Sequence, residues 1–422
     1  MAHCWRCSHC KWVPSPKSHD FAHACPSIQW GGFHAYSGGG KVITAYAVSS
    51  GDVECTEETV ETVFACSMCG ACDIACKNNN GELIEPLSVL YALRADVVAR
   101  GAGPLVHNEL VQKLRRFGNS TGRPREDRSK WADGLKLADA TDAQVDVLLH
   151  IGCENAFDPS RWGELRAITA LLIEAGIRFG IAYDKEAATG ETAFDLGYQD
   201  DARALAKDMI ALIGATGART VVTCSATSYH GMVNIWPRLG LACPTSDVRH
   251  VTDFIDDLFE SGALRIDAHC DATVTYHDPC KLGRLGERFE PSDAVWTKVL
   301  NTFPVRDKPT QVLFGNDGVY EPPRNLLRRI NGLKLVEMER TREAAYCCGA
   351  AGGAKEGYSN FAGFAAQNRL TEALATGASI VATSCGACRG HLAQVAGENS
   401  VPLEVMGVFE LLMASASKKK AI

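Results

Sequence analysis

The sequence predicts an α/β protein: a small, cysteine-dense helical module, then two related halves in which strands and helices alternate. Three observations carry this. The chain has 18 cysteines, and nine of them precede Asn80. From Val145 onward, short apolar runs alternate with helical segments, the texture of parallel α/β layers. The order of strand, glycine and terminal cysteine then recurs in a second copy. At roughly 150 residues per domain, 422 residues make two or three domains. Apolar residues at 46% and charged residues at 22% exclude disordered and fibrous classes. A net charge of −7 gives no electrostatic reason to bind nucleic acid. No apolar run reaches membrane-spanning length and Met1–Lys11 lacks an apolar core, so neither a membrane span nor a secretory signal is expected, and the cytoplasm is the expected compartment.

Residues 1–118 form the first expected domain. Between its cysteine groups, Trp30–Val53 with Gly38-Gly39-Gly40 reads as a hairpin-like insert. Pro86–Arg100 places Leu87, Leu90, Leu93 and Val97 on one helical face, and Asn108–Phe117 repeats the spacing. Residues 119–144 read as a linker, most of it the polar run Gly118–Asp133. The half at 145–268 has expected strands Val145–Ile151, Phe179–Tyr183 and Thr220–Cys224; the half at 269–422 has Thr273–His277, Lys334–Met338 and Ile380–Thr383. Helices are expected at Arg161–Glu174, Ala202–Ile213, Val251–Phe259, Pro323–Ile330, Phe361–Leu374 and Val405–Ala414, with Lys418–Lys420 as a frayed tail.

Two thiol triplets carry the strongest chemical signal. Cys4-x2-Cys7-x2-Cys10 is followed by Cys25-Pro26, and Cys66-x2-Cys69-x2-Cys72 by Cys76. Three thiolates on one tight loop cap three corners of an iron–sulfur cube, and in two-cluster ferredoxins the fourth cysteine ligates the other cluster. The expected sets are Cys4, Cys7, Cys10 with Cys76, and Cys66, Cys69, Cys72 with Cys25. Structural zinc also takes four thiolates from C-x2-C pairs, but doubled triplets, one closed by Cys-Pro, fit it poorly. Cys55 matches neither set and reads as a small buried hydrophobe.

The second constellation is His277-Asp-Pro-Cys280, Cys347-Cys348-Gly349 and Cys385-Gly-Ala-Cys388. Loops after strands of one parallel sheet converge at one end of it, where such folds place their sites. The first half holds Cys153 at the place of Cys280, 127 residues earlier, and Ala188-Thr189-Gly190 at the place of the Cys-Cys-Gly. Cys224 is taken as the counterpart of Cys385, with Thr227 in place of Cys388, so this half is expected to be degenerate and to hold no cluster. Cys243 and Cys270 are the other thiols near it, and buried thiols are the expected reading of them. His277 reads either as a proton donor or as an orienting residue, and Lys281 and Arg284 as solvated surface charge.

The phrases His277-Asp-Pro-Cys280-Lys-Leu-Gly-Arg284, Val336-Glu-Met-Glu-Arg340 and Tyr346-Cys-Cys-Gly-Ala350 with Gly352-Gly353 resemble the CCG-domain proteins, among them the heterodisulfide reductase B and D subunits. The layout, a two-cluster ferredoxin-like module followed by paired CCG halves, is that of the D-type member. The resemblance implies a [4Fe–4S] cluster, cubane or noncubane, held by Cys280, Cys347, Cys348, Cys385 and Cys388, beside two cubane clusters in the N-terminal module. An insertion around Phe289–Pro323 lengthens the Cys280–Cys347 gap relative to the B-type member. Within the family the layout is most similar to the D-type member of tungsten-dependent benzoyl-CoA reductase complexes.

No G-x-G-x-x-G follows a strand and no phosphate-binding loop occurs, so flavin or nicotinamide is expected on a partner rather than on this chain. The expected function is an electron-transfer subunit of an oxidoreductase complex. The resemblance implies a flavin-containing heterodisulfide-reductase-A-like partner on one side and an aromatic acyl-CoA (benzoyl-CoA) reductase on the other. The alternative is a catalytic subunit that reduces a disulfide or thiol substrate at the CCG cluster.

Overall fold

The computed structural model describes residues 4–80, 84–299 and 303–417; the Lys418–Lys420 tail lies outside them. The N-terminal module is helical: Pro26–Gly31, Gly38–Ser50, Glu57–Phe64, Ala71–Asn80, Pro86–Ala99 and Leu105–Phe117. The expected hairpin at Trp30–Val53 is therefore two helices joined by a short 3-10 turn. Glycine is a poor helix former, costing about 1 kcal/mol against alanine, yet three open the helix Gly38–Ser50. Ser37 caps it, its Oγ accepting from the Gly40 N–H at 3.0 Å. The missing side chains also serve packing: a Cβ on Gly38 would lie 2.6 Å from Cys72 Cβ.

The α/β part has two parallel sheets. In the first, β1 (Ala138–Asp139), β3 (Phe179–Ile181), β2 (Val147–His150), β4 (Thr220–Thr223) and β5 (Asp247–His250) lie in the order β1-β3-β2-β4-β5. The second has the order β11-β10-β6-β9, built from β6 (Thr273–Tyr276), β9 (Lys334–Val336), β10 (Ile380–Thr383) and β11 (Glu404–Gly407). Read from β9, this repeats the β3-β2-β4-β5 order of the first sheet. Strands β2 and β10 are buried at every position, as parallel strands covered on both faces must be. One apolar cluster takes Leu149, Ile151 and Val222 from the first half and Val274, Tyr276 and Ala382 from the second, so the halves share a core.

Three further elements depart from expectation. The segment expected as a linker carries a 3-10 helix, Arg125–Ala132, whose Trp131 is buried in the shared core, and β1 adds an edge strand. Val405–Ala414, expected as one helix, is β11 followed by the helix Val408–Ser417. The insertion after Phe289 contains a two-stranded antiparallel hairpin, β7 (Trp296–Val299) with β8 (Phe303–Arg306).

Buried arginines tie the module to both halves. Arg94 Nη1 donates to the carbonyls of Asp195 at 2.9 Å and Gly352 at 2.8 Å, while its Nη2 reaches that of Cys66 at 2.7 Å. Arg284 donates through Nε to the Cys69 carbonyl at 2.7 Å and through Nη1 to that of Ala345 at 2.6 Å. These are buried structural cations, not the solvated charge expected of Arg284.

Candidate metal centres

Cys4, Cys7, Cys10 and Cys76 line one cavity, together with Gly39 and Val42. Cys7 is exposed and Cys10 buried, so this thiol set reaches the surface. The Gly39 N–H donates to Cys10 Sγ at 3.1 Å, a contact that the absence of a side chain permits. The two triplet loops share one winding. Arg6 (φ 58°) and Ser8 (φ 69°) flank Cys7, and Met68 (φ 49°) and Gly70 (φ 74°) flank Cys69, all in the left-handed region. Only one of those four is glycine, so the sequence carries no sign of the repeated left-handed pair. Such backbone persists where the surroundings demand it.

The thiols of Cys25, Cys66, Cys69 and Cys72 form a second set close enough to influence one another's charge. Burial pushes the Cys25 thiol up to about 12, against the pull of the nearby Lys41 cation. Lys41 is itself buried, its Nζ donating to Ser27 Oγ at 2.7 Å and to the Tyr36 carbonyl at 2.6 Å. Cys69 goes the other way, to about 5, because of the neighbouring Cys347 and, against the cost of burial, the Arg284 cation.

The third set lies at the C-terminal ends of β6, β9 and β10. Cys347 shares a buried cluster with Cys280 and Cys69 and lies close beside Cys348. Cys348 Sγ lies 3.2 Å from Cys388 Sγ, and the Cys388 thiol lies close beside that of Cys385. Ser67 Oγ donates to Cys347 Sγ at 3.2 Å, the Gly349 N–H to the same sulfur at 3.3 Å, and the Cys388 N–H to Cys385 Sγ at 3.4 Å. All five thiols are buried. The Cys280 loop is held by Asp278, which takes a bidentate pair from Arg324 at 2.7 and 2.9 Å and the Arg342 N–H at 2.9 Å.

His277 stands against this set, with a ring nitrogen within 4.8 Å of the sulfurs of Cys348 and Cys388. Arg369 Nε donates to His277 Nδ1 at 3.0 Å. A guanidinium has no acceptor, so Nδ1 is a bare lone pair and the ring proton sits on Nε2. That nitrogen is buried and has no hydrogen-bond partner. Its N–H is left free to turn toward the thiols of Cys348 and Cys388. Three sulfur-rich sets, the third fully buried and the first open to the surface at Cys7, with N–H···S bonds, tightly wound loops and nearby cations, fit iron–sulfur clusters, which carry net negative charge once ligated by thiolates and whose potentials respond to such bonds.

The first half lacks this chemistry on the same frame. Gly190 (φ 86°) matches Gly349 (φ 87°), and each is crowded by a backbone carbonyl, Ala202 or Ala362. Ala188 and Thr189 therefore stand for Cys347 and Cys348. Strand register corrects one expectation: β4 and β10 are followed by Ser225 and Cys385 as the caps of their helices. The Ser228 N–H donates to Ser225 Oγ as the Cys388 N–H does to Cys385 Sγ. Ser225 and Ser228, not Cys224 and Thr227, are the counterparts of Cys385 and Cys388. Cys153 accepts from Arg128 Nη2 at 3.2 Å, and Arg128 pairs with the buried Glu186 at 2.7 Å. Cys55, Cys243 and Cys270 pack beside apolar clusters.

Residues 147–230 and 312–393 match the family described as the cysteine-rich CCG domain, so the chain contains two CCG repeats, only the second with the full thiol set. Over 422 aligned positions the chain is 28% identical to the D-type component of the dihydromethanophenazine:CoB–CoM heterodisulfide reductase of Methanosarcina acetivorans, covering 97% of this chain and 92% of that protein. It is 27% identical to the probable iron-sulfur-binding oxidoreductase FadF of Bacillus subtilis, over 85% of this chain and 47% of that one. The crystal structure of a hypothetical protein from Helicobacter pylori shares the fold alone, with a TM-score of 0.53 and 9% identity over 90% of this chain and 68% of that one.

Proposed function

We propose that the protein is an iron–sulfur subunit of a heterodisulfide-reductase-type oxidoreductase complex and that its role is electron relay. In this reading two [4Fe–4S] cubanes sit on Cys4, Cys7, Cys10, Cys76 and on Cys25, Cys66, Cys69, Cys72. A third cluster, cubane or noncubane, sits on Cys280, Cys347, Cys348, Cys385 and Cys388. The observation that carries it is the close approach of Cys69 and Cys347 within one buried cluster, which joins a thiol of the second set to one of the third. With Cys7 exposed and Gly38 packed against both Cys72 and Cys10, the three sets form one path from the surface inward. The finer reading takes electrons from a flavin-containing heterodisulfide-reductase-A-like partner and passes them to an aromatic acyl-CoA reductase, in the cytoplasm. No helix among the described residues is long and apolar enough to cross a membrane.

One observation favours a second reading, catalysis at the CCG centre. A cleft of about 330 Å³ is lined by Ala350–Gly353, Gly386 and Gly390, the residues that follow the cluster cysteines. The test is activity of the isolated, anaerobic chain given a reduced dye and a heterodisulfide. The relay reading expects negligible turnover, whereas rates on the order of 1–10³ per second would favour the catalytic one.

A further inference from the structure

Beside the Cys280 loop lies a buried polar cluster that the relay does not use. Lys281 Nζ is 2.7 Å from both Glu191 Oε1 and Asp195 Oδ2. Glu191, Asp195, Lys281 and His230 are all at most 3% exposed. His230 Nδ1 is 2.7 Å from the Leu285 carbonyl, which can only accept, so Nδ1 carries the proton and Nε2 presents a lone pair. That Nε2 is buried without a partner, as is Asp195 Oδ1, and the ligating atoms of Glu191, Asp195 and His230 lie within 4.8 Å of one another.

Counting donors and acceptors shows what the cluster lacks. Lys281 donates one proton to Asp195 Oδ2 and forms an ion pair with Glu191 Oε1, which is left without a hydrogen bond, while Thr192 Oγ1 donates to Glu191 Oε2 at 3.4 Å. The remaining oxygens and the imidazole lone pair face one another with too few donors among them. A metal ion is disfavoured because the Lys281 ammonium already occupies the space between the carboxylates. One further proton suits the arrangement: two carboxylates against one ammonium leave a net negative charge in a buried site. Burial, then the Asp195 charge, push Glu191 up to about 8, against the pull of Lys281 and with Glu154 adding to the rise. Tyr91 faces Lys281, and Arg238 acts on His230 from its own helix. Glu191 and Asp195 also line the cleft walled by Ala350–Gly353 and Gly386, which gives the site a route to water.

We propose that Glu191, set in the Asp195–Lys281–His230 shell, binds one proton drawn through the cleft when the adjacent five-cysteine centre is reduced. An external one-electron donor reduces the cluster, and a proton from water forms an O–H bond on the Glu191 carboxylate, so charge is balanced locally. The inference rests on the reading that Cys280, Cys347, Cys348, Cys385 and Cys388 hold a cluster. The coupling is electrostatic: Lys281 follows Cys280 directly and interacts with its charge.

The test is an anaerobic redox titration of the full, cluster-loaded chain, read by electron paramagnetic resonance between pH 6 and 9. The midpoint of the five-cysteine centre should fall by about 59 mV per pH unit, a tenfold change in proton activity for one electron, over the window in which Glu191 titrates. Glu191→Gln should flatten that slope with iron content and line shape retained, and Glu191→Asp should restore a slope. A flat wild-type profile, or a slope that survives Glu191→Gln, overturns the proposal while leaving the cluster reading intact. A centre with no signal that Cys348→Ser removes overturns that reading and the proposal with it.

Discussion

In the second half β6 runs into His277, Asp278 and Cys280; in the first, β2 ends on His150 and runs into Ile151 and Cys153. After β10 come Cys385 and Cys388, and after β4 come Ser225 and Ser228 in the same capping geometry. Where the second half has a row of neighbouring thiols, the first has Ser225 bonded to Glu154 and an Arg128–Glu186 pair, with Glu186 accepting from the N–H groups of Ile151 at 2.9 Å and Gly152 at 3.0 Å. The strand order, the glycine turn and the shared core are common to both. Ligand chemistry is thus a separable property of the loops, and ordinary packing and hydrogen bonding support the frame without it.

The largest expected effect is on metal content. Cys348→Ser should remove one cluster's worth of iron, about four atoms, whereas Cys153→Ser should leave iron unchanged; elemental analysis of anaerobic preparations reads both. Loss of iron from Cys153→Ser would break the comparison. Next comes stability of the first half. Arg128→Met strands Glu186 as a buried, unpaired carboxylate and should cost about 3–5 kcal/mol, measured as a shift in denaturation midpoint with iron retained. Because, against the cost of burial, His150, Arg128 and two N–H groups hold Glu186 below its ordinary range, this contribution is present at neutral pH and is lost as pH falls through and below that range.

A smaller effect sharpens the symmetry itself. Gly190→Ala and Gly349→Ala should each destabilise by about 1–3 kcal/mol, since both positions are left-handed and closed off by a backbone carbonyl. A cost confined to Gly349→Ala would mean that the turn serves the cluster rather than the frame. The smallest effect distinguishes the two histidines. His277→Ala removes an N–H donor toward Cys348 and Cys388 and should lower that centre's midpoint potential, by the equivalent of about 1 kcal/mol. His150→Ala, whose ring bonds Thr223 Oγ1 at 2.9 Å, should not move it.

Cysteine spacing makes the thiol sets legible in the sequence, because ligand number and loop length are local properties. The rest is set by tertiary context. Gly38-Gly39-Gly40 carries the composition of a turn, and only the cap by Ser37 and the nearby sulfurs make it a helix start. Lys41, Arg94 and Arg284 look like surface charges until the carbonyls they bond are assembled from distant segments. Counting from cysteine to cysteine selects Cys224 where Ser225 is the true counterpart, since β-register decides which residue caps the helix. β5 and β11 have four residues each and run straight into helices, too short for a period to show.

In the proposed arrangement the N-terminal module and the second half bind clusters and the first half does not. Iron and acid-labile sulfide counting on the anaerobically purified full chain tests it most directly. Three four-iron clusters predict about twelve of each per chain; a value near sixteen would place a cluster in the first half as well, and a value near eight would contradict the five-cysteine centre.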